Sequence, residues 1–235
     1  MARGYPRWDN AEVELPANFR DLSRPGTLLW VREGLDLPEG DQKWRDAGRE
    51  LLDQHSQQLN VGGRGDVRLL EFKVRSGVWR RNLHGGLLGG ILGSRFISAD
   101  RLTEEVYLSE SLRANGVMTP EVLLAYAYRR SGFWHQHLVT AEVPDAVTVF
   151  SARQQVPALK AAHQLLDKLF HLGFWAPDLH PGNLLWQQQQ QQVWVIDLAD
   201  ACLLGRPLTL VERKAREARY LRFFRKHGGK VPTEA

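Results

Sequence analysis

Residues 155–198 most constrain what this chain can fold into. A helix expected over Gln155–Leu172 leads into Asp178-Leu179-His180-Pro181-Gly182-Asn183. Two short apolar runs follow, and the second ends on Ile196-Asp197-Leu198. In the helix, Val156, Leu159, Leu166, Leu169 and Phe170 recur at helical spacing, and Pro157 suits a first turn. The runs Leu184–Trp186 and Val193–Ile196 are too short for helices and read as two strands. Six glutamines, Gln187–Gln192, separate them and read as an expanded hairpin turn. The segment therefore sets an aspartate and an asparagine on one tight loop, with a second aspartate at the end of a nearby strand.

That set matches the needs of phosphoryl transfer to an alcohol. The reaction takes a carboxylate beside the attacking hydroxyl and hard oxygen ligands that hold a divalent cation against the phosphates. Asp178 would orient the hydroxyl and take its proton. Asn183 and Asp197 would bind the metal, with Pro181-Gly182 turning Asn183 back toward it. A lone loop aspartate or asparagine often does no more than cap a helix or close a turn. Three at this spacing, behind a long apolar helix, point to chemistry. His180 reads equally well as a structural loop residue.

The remainder of the 235 residues fits one sizeable core or two small lobes. A composition 43% hydrophobic and 25% charged excludes wholesale disorder. The single cysteine, Cys202, excludes an internal disulfide framework and a cysteine zinc cluster. No apolar run approaches the roughly 20 residues that span a bilayer, and Met1–Asn10 lacks the apolar stretch of a signal peptide. Thr27–Arg32, Val67–Val74, Val78–Arg80, Val122–Tyr128 and His135–Glu142 read as strands. Asp41–Gln58 and Ala99–Asn115 read as helices, the latter stopped by Asn115-Gly116. Thr209-Leu210-Val211-Glu212 matches a capping box that opens a last helix, with Ala215, Ala218, Leu221 and Phe224 as its expected buried stripe. Val143-Pro144-Asp145 breaks the pattern between lobes. The division expected is 1–60 as an extension and the start of the small lobe, 61–142 as the rest of that lobe, and 143–235 as a compact second lobe.

The catalytic segment resembles the catalytic and metal loops of the protein-kinase-like superfamily, in whose small-molecule branch Asp-Leu-His-Pro-Gly-Asn recurs. Over residues 62–205 the chain is most similar to the bacterial lipopolysaccharide kinases, the branch acting on 3-deoxy-D-manno-octulosonic acid (Kdo) above all. Gly63-Arg64-Gly65 resembles a short nucleotide loop. Val78-Trp79-Arg80 and His84-Gly85-Gly86-Leu87 resemble that family's basic strand and Gly-Gly segment. Arg101, Glu105, Gly116 and Pro120 resemble its helix and the exit from it. The resemblance implies an α+β, bilobal kinase-like fold: an antiparallel-sheet lobe with one helix, then a compact, mainly helical lobe.

It also implies site roles. Gly63 and Gly65 would cover the phosphates of ATP. Arg80 stands where the superfamily usually has a lysine that grips those phosphates, with Lys73 and Arg75 as nearby rivals. Glu105 stands where a helix glutamate pairs with that basic residue. Glu142, with Val143, falls at the hinge that receives adenine through backbone groups. The cofactors implied are ATP with Mg²⁺ or Mn²⁺. The acceptor implied is a hydroxyl of a lipopolysaccharide inner-core sugar, most simply Kdo of Kdo-lipid A. Such an enzyme would be cytoplasmic and peripheral on the inner membrane. The formal charge of +4 and the basic stretch Arg213–Lys226 suit an anionic membrane surface, and nucleic acid is not an expected partner.

Two departures from the superfamily pattern stand out. Ala176 fills the place of a histidine two residues before the catalytic aspartate, which implies a lost brace and a looser loop around Asp178. The metal loop reads Asp-Leu-Ala-Asp rather than Asp-Phe-Gly, with Leu198 in the apolar slot and Asp200 as an acid behind the metal-binding residues or a solvated charge. The catalytic loop fits equally a kinase for another small molecule or for protein serine, and the Arg80 and Ala176 departures motivate a third reading, a catalytically inactive nucleotide-binding protein.

Overall fold

A computed structural model of the chain describes residues 15–58, 67–83 and 93–228. Among these, seven strands form one antiparallel sheet: β1 (Phe19–Asp21), β2 (Thr27–Arg32), β3 (Ser56–Gln58), β4 (Val67–Glu71), β5 (Ser76–Arg81), β6 (Val122–Arg130) and β7 (Phe133–Ala141). Their spatial order is β1-β2-β6-β7-β5-β4-β3. The long central pair β6 and β7 carries Leu-, Val- and aromatic-rich runs buried on both faces.

Each face of the sheet is covered by a helix. Trp44, Leu51 and Leu52 of α1 (Asp41–His55) pack with Leu29, Val31, Tyr126 and Val139. On the opposite face Leu102 and Val106 of α2 (Asp100–Ala114) pack with Trp30, Val122, Ala125 and Leu138. Each such fully buried side chain contributes about 1.5–3 kcal/mol. The helix expected beside the sheet is α2; α1 adds a second, from the N-terminal segment. The reading of Asp41–Gln58 as one helix is corrected at its end, because α1 stops at His55 and Ser56–Gln58 pairs with β4. Residues 19–58 thus supply three strands of the sheet as well as a helix.

The second lobe is built on α3 (Val156–His171), whose Ala158, Ala162, Leu165, Leu166, Leu169 and Phe170 are buried. Against it lie β8 (Ala146–Thr148), β9 (Phe174–Trp175), β10 (Leu184–Gln187), β11 (Gln192–Val195), β12 (Cys202–Leu203) and α4 (Leu210–Lys226). The glutamine tract is the expected hairpin, except that its ends belong to the strands: Gln187 pairs with Gln192. Gln187 is buried, donates from Nε2 to the Pro144 carbonyl at 3.0 Å and accepts from Trp194 Nε1 at 3.1 Å. Gly173 is required where it stands, with φ 79° and a would-be Cβ only 2.0 Å from the Arg206 carbonyl oxygen. That close approach lets β9 pair with β12.

Leu108 and Leu112 of α2 belong to the core of the second lobe, so this one helix joins both lobes. The Val195 amide also donates to the Met118 carbonyl at 2.9 Å. The segment carrying Glu105 and the strand leading to Asp197 are therefore held in one frame.

α4 opens on the expected capping box, with Thr209 and Glu212 bonding reciprocally. Its buried face matches expectation in part: Phe224 is buried and Leu221 packs against the core. Ala215 and Ala218 are exposed, whereas Arg213, Arg216, Tyr220, Phe223 and Phe224 turn inward. Arginine stems cover apolar surface that a pattern of apolar letters assigns to alanine.

Candidate active site

Glu105 lies on the inward stripe of α2, between Leu102 and Ser109, and is only 4% exposed. A carboxylate there needs a partner, and Arg80 supplies it. Arg80 is opposite Leu138 in the sheet, and Leu138 faces α2. The Arg80 guanidinium forms an ion pair with Glu105 Oε1, donates to Asn82 Oδ1 at 2.9 Å and lies 3.8 Å from Asp197 Oδ1. Burial pushes the Glu105 carboxyl above its ordinary range, and Arg80 pulls against that shift. The rivals for the phosphate role are engaged elsewhere, Lys73 near Asp36 and Arg75 with Glu121.

The catalytic segment is a short 3₁₀ turn, Pro181–Asn183, between β9 and β10. Asn183 donates from Nδ2 to the Asp178 carbonyl at 3.0 Å, which leaves its acceptor Oδ1 for a cation. The Ile196 amide donates to the Asn183 carbonyl at 3.0 Å, tying the two loops one residue before Asp197. Asp197 has φ 59°, a left-handed conformation that costs most side chains energy and that aspartate tolerates. Strain of this kind persists where surroundings enforce it and is characteristic of working sites. Leu198, next in the chain, is buried in the second core as the apolar slot requires. Asp200 is paired rather than merely solvated, since Arg101 of α2 donates to it at 2.9 Å.

Oxygen donors from one asparagine and one half-exposed aspartate suit a hard divalent cation that keeps waters and takes its other ligands from phosphates. Among the described residues no group of three or more His, Cys, Asp or Glu forms a denser metal cage. Asn183 Oδ1 and the Asp197 carboxylate would hold such a cation.

Five of the expected residues are thus drawn toward one place: Arg80, Glu105, Asp178, Asn183 and Asp197. Glu142 begins the connection out of β7, and its amide donates to the Ser76 carbonyl at 3.2 Å. Its side chain is exposed. Gly63 and Gly65, with His84-Gly85-Gly86-Leu87, lie outside the described residues.

Sequence reasoning missed the surroundings of Asp178. Arg219 of α4 donates to Asp178 Oδ1 at 2.5 Å, and Arg216 Nη1 donates to the Ala176 carbonyl at 3.0 Å. His180 accepts from the Gly182 amide at 3.1 Å and stacks on Phe223, centroids 4.3 Å apart and planes 17° apart. Burial holds the His180 imidazole below its ordinary pKa, so near neutrality it is an uncharged packing group. The loop expected to be loose for want of a histidine is held from outside. The available signal is the row Arg216, Arg219 and Phe223, whose two arginines the sequence places in a basic stretch suited to a membrane surface.

Comparison with known proteins follows the same geometry. The model of the lipopolysaccharide kinase (Kdo/WaaP) family matches residues 56–204, well over half of the chain. The chain belongs to this lipopolysaccharide kinase family. A 3-deoxy-D-manno-octulosonic acid kinase of Vibrio vulnificus (strain CMCP6) is 26% identical over 148 residues, covering 60% of this chain and 62% of the relative. One from Vibrio parahaemolyticus serotype O3:K6 is 24% identical over 151 residues, covering 61% and 63%. The match thus spans less than two thirds of these relatives. A solved structure of WaaP in complex with acyl carrier protein matches with a TM-score of 0.51 at 19% identity, over 79% of this chain and 78% of that one. That likeness shows a shared kinase-like fold. All the site residues named above except α4's lie within the matched stretch.

Proposed function

We propose that this member of the lipopolysaccharide kinase family transfers the γ-phosphate of ATP to a hydroxyl of a lipopolysaccharide inner-core sugar, with Kdo of Kdo-lipid A as the acceptor. The observation that carries the catalytic reading is the Arg80–Glu105 pair set 3.8 Å from Asp197. A protein that had lost catalysis would have no need to keep a buried carboxylate, a strained aspartate and an intact Asp178–Asn183 loop together.

In this reading Arg80, fixed by Glu105 and Asn82, holds the phosphates, and its planar fork suits them. Asn183 Oδ1 and the Asp197 carboxylate hold the cation, which when bound would neutralise charge developing on the phosphates. Asp178 accepts the proton of the acceptor hydroxyl as its oxygen bonds to the γ-phosphorus. The bond from that phosphorus to the β–γ bridging oxygen breaks, and ADP leaves. Glu142 would offer its carbonyl to adenine, and Gly63 and Gly65 would close over the phosphates.

The Kdo assignment is supported by the names of the Vibrio relatives and by charge. The outward face of α4 carries Lys214, Arg222, Arg225 and Lys226 with exposed Leu210 and Val211 at its start. Such a face suits the anionic surface on which a lipid-linked acceptor sits, with the enzyme peripheral on the cytoplasmic side. Among the described residues no helix is long and apolar enough to cross a membrane.

The test is transfer of labelled γ-phosphate from ATP with Mg²⁺, offered Kdo-lipid A beside soluble sugars, aminoglycosides and a generic protein, with Asp197→Ala as control. Label on Kdo-lipid A alone, absent with the variant, is expected. Label on a soluble acceptor would keep the kinase and discard the acceptor. ATP binding without transfer to any acceptor would favour an inactive nucleotide-binding protein.

A further inference from the structure

The place two residues before Asp178 holds a buried alanine with no side chain to tie the loop down. What ties it down is α4. Arg216 donates to the Ala176 carbonyl at 3.0 Å and lays its guanidinium 5.2 Å above the Trp175 ring. One turn later Arg219 meets Asp178 at 2.5 Å. One turn later again Phe223 stacks on His180 at 4.3 Å. Three successive turns of the helix therefore meet residues 176, 178 and 180. Gly182 completes the fit, because a Cβ there would come within 3.2 Å of Phe223 and 3.1 Å of the His180 ring.

We propose that α4 is the brace of the catalytic loop and that Arg216 is its key positioning residue, doing from outside what a histidine at 176 would do from within. All three contacts come from beyond residue 204, where the family match ends. The charge at 216 also suits the task. A guanidinium can donate to a carbonyl while its flat face rests on an indole, so it fixes both position and tilt of the chain where β9 enters the turn that carries Asp178. The catalytic meaning of the brace rests on the kinase reading above; the brace itself does not.

The experiment compares Arg216→Met, which keeps the apolar stem, with Arg216→Lys, which keeps a donor without the flat fork. Arg213→Met is the control, one turn earlier on the same helix, where Nε donates to the Leu208 carbonyl instead. Amide hydrogen exchange over residues 176–183 is read together with phosphate transfer to the accepted substrate. Arg216→Met should speed exchange in that stretch about 10- to 100-fold, the weight of one charge-assisted hydrogen bond. It should lower kcat by a similar factor while KM for ATP stays within about twofold. Arg216→Lys should fall between, and Arg213→Met should leave the loop as it is. Unchanged exchange at 176–183 in Arg216→Met overturns the brace, as does equal loosening in Arg213→Met. Should Arg216→Met fail to fold, loop-confined loosening in Arg216→Lys supports the brace and native exchange there overturns it. Loop-confined loosening in a chain that transfers phosphate to no acceptor would sink the kinase reading and leave the brace standing.

Discussion

Removing the charge of Arg80 tests the centre of the site without any knowledge of the acceptor. Arg80→Met keeps the stem and deletes the guanidinium, which strands Glu105 at 4% exposure. Breaking a buried pair from one side costs about 3–5 kcal/mol. The lower end, about 3 kcal/mol, applies here because the Arg80 side chain keeps 25% of its surface in solvent. For a chain of this size that is roughly 6–12 °C of melting temperature. The loss should also depend on pH, with a defined sign. Burial already raises the Glu105 carboxyl above its ordinary 4.5, and losing Arg80 removes the largest opposing pull. A carboxyl raised in this way binds more protons folded than unfolded. Its stability contribution is full below about 4.5 and falls by about 1.4 kcal/mol per pH unit as pH rises toward the folded value. Chemical denaturation at pH 5 and pH 8 should therefore show the smaller deficit at pH 5, about 1 kcal/mol, the cost of a neutral buried group lacking its partner. Adding Glu105→Gln to Arg80→Met should bring the pH 8 stability back to within about 1 kcal/mol of native, because no charge is then buried alone. Equal deficits at the two pH values, with no recovery in the double variant, would refute the claim that this is a buried, mutually dependent pair.

The remaining expectations are narrower. Asp178→Ala should lower kcat roughly 10²–10⁴-fold with little change in KM for ATP, measured by steady-state transfer; native turnover would remove Asp178 from the mechanism. Asp197→Asn should fold with native melting temperature, since asparagine also tolerates φ 59°, yet lose metal-supported turnover and weaken Mn²⁺ binding read by paramagnetic resonance. Gly173→Ala should destabilise by about 2–3 kcal/mol in denaturant titration, from a left-handed φ and a clash with the Arg206 carbonyl. His137 is buried, accepts from Trp79 Nε1 at 3.1 Å, and is pushed by burial from 6.5 down to about 3. Its unfolded form takes up a proton first as pH falls below 6.5, so it draws stability down by about 1.4 kcal/mol per unit between there and 3. His137→Gln should flatten the stability profile between pH 6.5 and 5 relative to native; an unchanged slope would count against a neutral buried imidazole.

What the sequence made legible, and what it hid, follows from what each residue type reports. Asp178, Asn183 and Asp197 were legible because their types and spacing are set by the reaction rather than by packing. Glu105 was legible only through the family resemblance; that it lies buried on the inward stripe between Leu102 and Ser109, where a carboxylate needs a cation opposite, is visible only in the fold. Short apolar runs located β2, β6 and β7, the Asn115-Gly116 stop marked the end of α2, and 3.6-residue spacing located α3 because one side of it is apolar. The three-residue strand β3, Ser-Gln-Gln, has no such side; it is a strand only because β4 lies beside it. The inward face of α4 was hidden differently. Apolar periodicity counts Ala215 and Ala218 as core and Arg216 as surface, yet Arg216 turns inward because its stem packs and its head has a carbonyl and an indole to meet. The same blindness made the Ala176 departure look like a weakness of the loop. A missing side chain can be read at its own position, but a compensating one forty residues later is visible only when the fold has brought helix and loop into register.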